Sequence, residues 1–190
     1  MNLFSMFIAA ALINNVVLSK FLGLCPFLGV SKKTESALGM GGAVTFVIMA
    51  SAAITWVLNY YVLVPFEIEY MYLIVFILVI ASFVQLTEII IKKFLPALYK
   101  SLGIYLPLIT TNCAVLFVAR ENISQGYNFV ESMVSAFGVS VGFVLVLYIF
   151  STIRVKLQMS NPPKAFQGNP IAFIVAAVMA LALTGLAGIV

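Results

Sequence analysis

The chain contains no aspartate and no histidine, and six glutamates supply all of its acid. A metal site built on imidazole is excluded, and so is a His-activated nucleophile. Cysteine occurs only twice and tryptophan once. The two thiols, Cys25 and Cys113, lie too far apart in sequence for a CxxC zinc or redox motif. No glycine-rich phosphate loop is present. Charge of either sign is scarce, at 8% of the 190 residues, where a soluble domain carries about a quarter. In its place stand apolar side chains, 64% of the total, with a mean hydropathy of +1.18. This is the composition of a polytopic membrane protein.

No basic n-region precedes the first apolar run and no small-residue cleavage site follows it, so that run is expected to be retained as a spanning element. The net charge of +4 does not point to nucleic acid, because the basic residues fall in short stretches between apolar runs, where they control topology. The expected surroundings are membrane lipid.

Hydrocarbon about 30 Å thick takes roughly 20 residues of helix. By that ruler six spans are expected, at about 3–24, 39–63, 71–91, 102–119, 127–153 and 170–190. The runs are long and show no alternation of period two, which selects helices over a barrel. The loops after spans one, three and five hold Lys32, Lys33, Lys92, Lys93, Lys100, Arg154, Lys156 and Lys164, whereas the opposite side holds only Arg120. The positive-inside rule places the basic loops in the cytoplasm and both termini outside.

The fold expected is all-α, one membrane domain over residues 1–190, built as two inverted three-helix repeats of about 1–95 and 96–190. Three spans per half is an odd number, so a duplicated half is upside down. Glu35-Ser36 with Gly42, and Glu131-Ser132 with Gly138, share a spacing, and both lead into helices rich in small residues that allow close backbone approach. The first span of each half carries a polar interruption, Asn14-Asn15 in one and Thr110-Thr111-Asn112-Cys113 after Pro107 in the other. Paired interruptions in inverted halves point to a midplane site. Residues 3–30 are too many for one straight crossing and 102–119 are barely enough, so the first helix of each half is expected to be broken. A break would bring Cys25 to the depth of Cys113. Composition leaves three readings of these thiols open: inert buried cysteines, a disulfide, or metal or cluster ligands. Clusters generally take four cysteines, so the last reading requires a second chain.

Asn14-Asn15-Val16-Val17-Leu18-Ser19-Lys20-Phe21-Leu22-Gly23-Leu24-Cys25-Pro26-Phe27 closely resembles the opening signature of the RnfA (RsxA) subunits of ion-translocating Rnf complexes. So does Leu102-Gly103-Ile104-Tyr105-Leu106-Pro107-Leu108-Ile109-Thr110-Thr111-Asn112-Cys113. The likeness runs through the whole chain. The sibling NqrE subunits of sodium-pumping quinone reductases are more distant, because they tend to lack the Asn pair and the proline after the first cysteine. The resemblance implies a bacterial inner-membrane subunit that does no bond chemistry of its own, in a complex that couples electron transfer between ferredoxin and NAD to movement of Na⁺ or H⁺. It implies a homologous RnfE-like partner of opposite orientation, the further subunits B, C, D and G, and a shared [2Fe-2S] cluster. Cys25 and Cys113 are then the metal ligands, with Gly23, Pro26, Thr110, Thr111 and Asn112 around the cluster. A stand-alone secondary transporter is the competing class.

Three further features carry expectations. Asn15 and Asn112 are expected to satisfy unwound backbone rather than an ion. Lys20 is a cation inside an apparent span, either functional or reaching an interface. Glu88 is expected to pair with Lys92, one helical turn on, and the aromatics around Tyr60-Tyr61 to form an interfacial belt.

Overall fold

In the computed structural model the described residues are 3–13, 15–31, 34–66, 71–94, 109, 112–159, 166 and 168–187. Among them every regular element is a helix. Helix α1 (Leu3–Ile8) continues into a π-helical turn, Ala9–Ile13, and stops before Asn15. Two short helices follow, α2 (Val16–Lys20) and α3 (Leu24–Val30). Then comes the long α4 (Thr34–Leu58), prolonged by the π turn Asn59–Leu63 and by α5 (Val64–Phe66). Helix α6 spans Tyr72–Phe94, α7 Cys113–Ser124, α8 Phe129–Met159 and α9 Asn169–Ala187.

Among the described residues three stretches are long and apolar enough to cross a membrane: Ser36–Leu63, Tyr72–Ile90 and Phe129–Leu157. Asn169–Leu183 is a shorter apolar helix. The first expected span is instead three pieces, and much of the fourth, 95–108 with 110–111, lies outside the described residues, as do Asn14, Lys32, Lys33, Lys100 and Lys164.

The core is an antiparallel pair, α4 and α8. At one end Trp56 packs edge-on against Phe129, with ring centroids 5.2 Å apart. Fifteen residues along each helix, Gly41 faces Val144 so closely that a Cβ there would stand 3.0 Å from the valine methyl. Small residues set such distances. These two helices bury 44% and 56% of their most apolar windows, against 17% for α6. Helix α6 therefore presents Ile74, Leu78, Leu86 and Ile89 outward. Helix α9 buries Ala172, Ala176 and Ala180 at successive turns and exposes Phe173, Ile174, Val178 and Leu181. Apolar faces turned outward suit a hydrocarbon solvent.

Of the two glycines in the expected repeat, only Gly138 is at a close contact. Its Cβ would meet Ala10 and the Phe7 carbonyl, each at 3.0 Å, whereas Gly42 has open space around it. Gly142, one turn on, is more confined still: a Cβ would collide with the Ala11 carbonyl. Helix α1 thus crosses α8 over a glycine notch. Tyr60 and Tyr61 are exposed, and Tyr60 stacks on Trp56.

Candidate functional site

The helix starts at Val16 and Cys113 have the same chemistry. A helix that starts in apolar surroundings leaves its first N–H groups without partners, and these must be satisfied from within the protein. Asn15, with φ −60° and ψ 115°, caps α2 by accepting the Val17 N–H on Oδ1 at 3.1 Å. Asn112, with φ −70° and ψ 112°, caps α7 by accepting the Ala114 N–H at 3.0 Å. Both are buried, at 4% exposure. Both side chains satisfy backbone at a helix start, as expected. Asn15 does more: Nδ2 donates to the Ala11 carbonyl at 3.2 Å and to the Gly142 carbonyl at 3.0 Å, tying both sides of the break to α8.

After α2 the chain turns sharply. Phe21 adopts a left-handed conformation (φ 54°) and Gly23 another (φ 79°), and Gly23 is the residue that starts α3. A left-handed residue without a Cβ is what this turn requires. Its N–H donates to the Cys113 sulfur at 2.9 Å. A side chain on Gly23 would also press on the Phe143 ring at 3.0 Å and on Asn112 Oδ1 at 3.3 Å. Cys25 follows in the first turn of α3 and is exposed, while Cys113, the first residue of α7, is half-buried. The fold therefore brings the two cysteine-bearing helix starts together across 88 residues of chain, through a backbone N–H aimed at sulfur. Both thiols are free in this structure.

Proline at position 26 has the residue type to redirect backbone, yet it causes no break. It occupies the third position of α3, where the N–H has no helical acceptor in any case. Thr110 and Thr111 lie outside the described residues. Asn112 carries one more signal. Its Nδ2 is buried with no protein partner among the described residues. A buried amide donor left so costs about 1–3 kcal/mol, and it belongs to the residue next to Cys113.

Sequence reasoning places one functional side chain wrongly. Arg154 reads as a loop charge, yet it lies within α8 at 5% exposure. Its Nη1 donates to the Leu28 carbonyl at 2.6 Å and to Ser31 Oγ at 2.7 Å, and Nη2 donates to Asn169 Oδ1 at 3.3 Å. Ser151 Oγ donates to the Ser31 carbonyl at 3.2 Å. Phe27 stacks on Phe150, centroids 4.2 Å apart. Helix α8 thus grips the C-terminal end of the seven-residue helix that carries Cys25, where a cation complements the helix dipole. The position of Arg154, directly after the expected span 127–153, is the available signal.

The family described as Rnf-Nqr subunit, membrane protein, matches residues 3–190. The chain belongs to this family. Among curated Rnf-Nqr relatives, the A subunit of the ion-translocating oxidoreductase complex of Syntrophotalea carbinolica is 57% identical over 189 residues, covering 100% of this chain and 98% of the relative. Its counterpart from Aromatoleum aromaticum, with the same name, is 55% identical, covering 96% and 95%. The A subunit of the Na⁺-translocating ferredoxin:NAD⁺ oxidoreductase complex of Acetobacterium woodii is 53% identical over 188 residues, covering 99% and 98%. The resemblance read from the cysteine motifs is thereby established for the whole chain, and with it the membrane character of the fold.

Proposed function

We propose that this chain is the A subunit of an Rnf-type complex in the bacterial inner membrane, and that it supplies two of four cysteine ligands, Cys25 and Cys113, to an iron–sulfur cluster of the [2Fe-2S] type. The other two come from a homologous, oppositely oriented subunit. The complex passes electrons between ferredoxin and NAD and moves Na⁺ or H⁺. Its architecture in this reading is six spans in two inverted repeats, with both termini outside.

The observation that carries the reading is the Gly23 N–H on the Cys113 sulfur. Hydrogen bonds to sulfur, together with net charge and burial, set cluster potentials. Three further features fit the group. Cys25 is exposed on this chain, as a ligand shared across an interface must be. Asn112 Nδ2 is a buried donor in need of an acceptor beside Cys113. Only two thiols exist, so the donor set is half complete. When bound, the cluster supplies a one-electron carrier within the membrane. The chain's own residues hold it: Gly23 orients Cys113, Asn112 fixes the start of its helix, and α8 holds α3 and therefore Cys25.

The test is the paramagnetic spectrum and iron content of the reduced complex, purified with all subunits. Cys25→Ser and Cys113→Ser are each expected to abolish or transform one [2Fe-2S] signal while the other carriers remain. Two variants with unaltered spectra and iron content would refute the ligand assignment.

A further inference from the structure

Lys20 and Glu121 take no part in the cysteine site, yet the fold brings them to one place. A cavity of about 150 Å³ is lined by both, with Tyr127 and Ser135, and on its apolar side by Met6 and Phe117. At about 30 Å³ per water this space takes one ion with a few waters. Lys20 closes α2, Glu121 lies in the last turn of α7, and Ser135 stands on α8. Charged groups beside apolar spans persist where they line a wet cavity or an ion path.

The charges are only partly committed. Gln125 Nε2 donates to Glu121 Oε1 at 3.3 Å, and among the described residues no ion pair joins Glu121 to Lys20, whose side chain is exposed. Helices α7 and α8 carry further polar oxygens outside the lining. Asn122 Oδ1 and Ser132 Oγ are buried, at 4% and 1% exposure, with no protein partner among the described residues. Asn122 Nδ2 donates to the Ser132 carbonyl at 3.4 Å, joining the two. Asn122 follows Glu121 in the chain, and Ser132 precedes Ser135 by one turn. Oxygen donors around one carboxylate are what a hard monovalent cation takes.

We propose that this cavity binds one alkali cation, with the Glu121 carboxylate as anionic ligand and Ser135 and Tyr127 as neutral oxygens. Lys20 lines the same cavity, and its ammonium is a like charge that weakens the hold of the carboxylate on the ion. The proposal rests on the ion-translocating reading only for its physiological purpose, since binding is measured without electron transfer.

Equilibrium binding of radiosodium to the purified complex tests it, because the two charge variants have opposite signs. Glu121→Gln is expected to bind one ion fewer per complex. Lys20→Met is expected to bind that ion roughly tenfold tighter, because a like charge has been removed. Unchanged stoichiometry in Glu121→Gln, or unchanged or weaker binding in Lys20→Met, overturns the proposal. Should Glu121→Gln fail to assemble, Ser135→Cys gives a local readout. Its modification by a charged methanethiosulfonate reagent, followed by peptide mass spectrometry, is expected to slow in NaCl relative to choline chloride at equal ionic strength. Equal rates overturn the alkali site, and a rate that depends on pH alone assigns the cavity to protons. Sodium binding that survives in Cys25→Ser and Cys113→Ser, with iron unaffected, would defeat the cluster reading while leaving this one standing.

Discussion

Arg154→Met is the sharpest perturbation of the cysteine site that touches neither cysteine. Methionine keeps an unbranched stem in α8 but removes the guanidinium that holds the end of α3. Two short charge-assisted hydrogen bonds are lost, to Leu28 at 2.6 Å and Ser31 at 2.7 Å. Each is worth about 1.5–3 kcal/mol. Relief from burying a charge offsets part of this, so a net loss of about 3 kcal/mol in the local stability of α3 is expected. Amide hydrogen exchange on the purified complex reads that quantity directly. The Phe27 amide, which donates to the Gly23 carbonyl at 3.3 Å, is the reporter. At tenfold per ~1.4 kcal/mol, its exchange accelerates about 100-fold. Amides of α6, remote from the clamp, keep their rates. Arg154→Lys retains the charge without the fork and falls in between. Exchange at Phe27 within about threefold of the parent, less than ~0.7 kcal/mol, would refute the clamp.

Further outcomes follow from the same geometry. Gly23→Ala forces an L-residue into φ 79° and against the Phe143 ring. It is expected to cost at least ~1–2 kcal/mol and to shift the spectrum of the reduced cluster, read by electron paramagnetic resonance. Asn112→Ala removes one helix cap, about 1 kcal/mol. Asn15→Ala removes a cap and two further bonds, so the thermal midpoint of the complex falls further for Asn15→Ala than for Asn112→Ala. Gly142→Ala drives a methyl group into the Ala11 carbonyl and is expected to abolish assembly, measured as complex yield from membranes; Gly39→Ala, with nothing within 4 Å, leaves the chain's own packing intact.

The apolar runs are legible in sequence because membrane helices carry their signal in composition, independent of what they pack against. Residues 39–63 and 127–153 fall within a turn or two of Ser36–Leu63 and Phe129–Leu157. The break near Asn15 is legible too, since a polar pair inside an over-long run has few other uses. The second break, at Phe21–Gly23, is not. It rests on two left-handed residues, one of them phenylalanine, and only the tertiary contact with Cys113 explains why the chain accepts it. Arg154 escapes for a related reason. Its two closest acceptors are a backbone and a hydroxyl oxygen more than 120 residues away, and a carbonyl at a helix end has no sequence signature. The Gly42–Gly138 correspondence suggests common packing, but close approach depends on which element faces a glycine, and α1 faces only Gly138.

The bond from Asn15 to the Gly142 carbonyl also dictates an order of events during synthesis. The residues that flank the break leave the ribosome long before Gly142 is made, and until then the Asn15 amide has only the Ala11 carbonyl available to it. A broken helix is costly in lipid without its full set of partners. The first segment is therefore expected to enter the bilayer as one continuous stretch and to bend only when α8 arrives. On this expectation the beginning of the chain takes its final form only after Gly142 has been made.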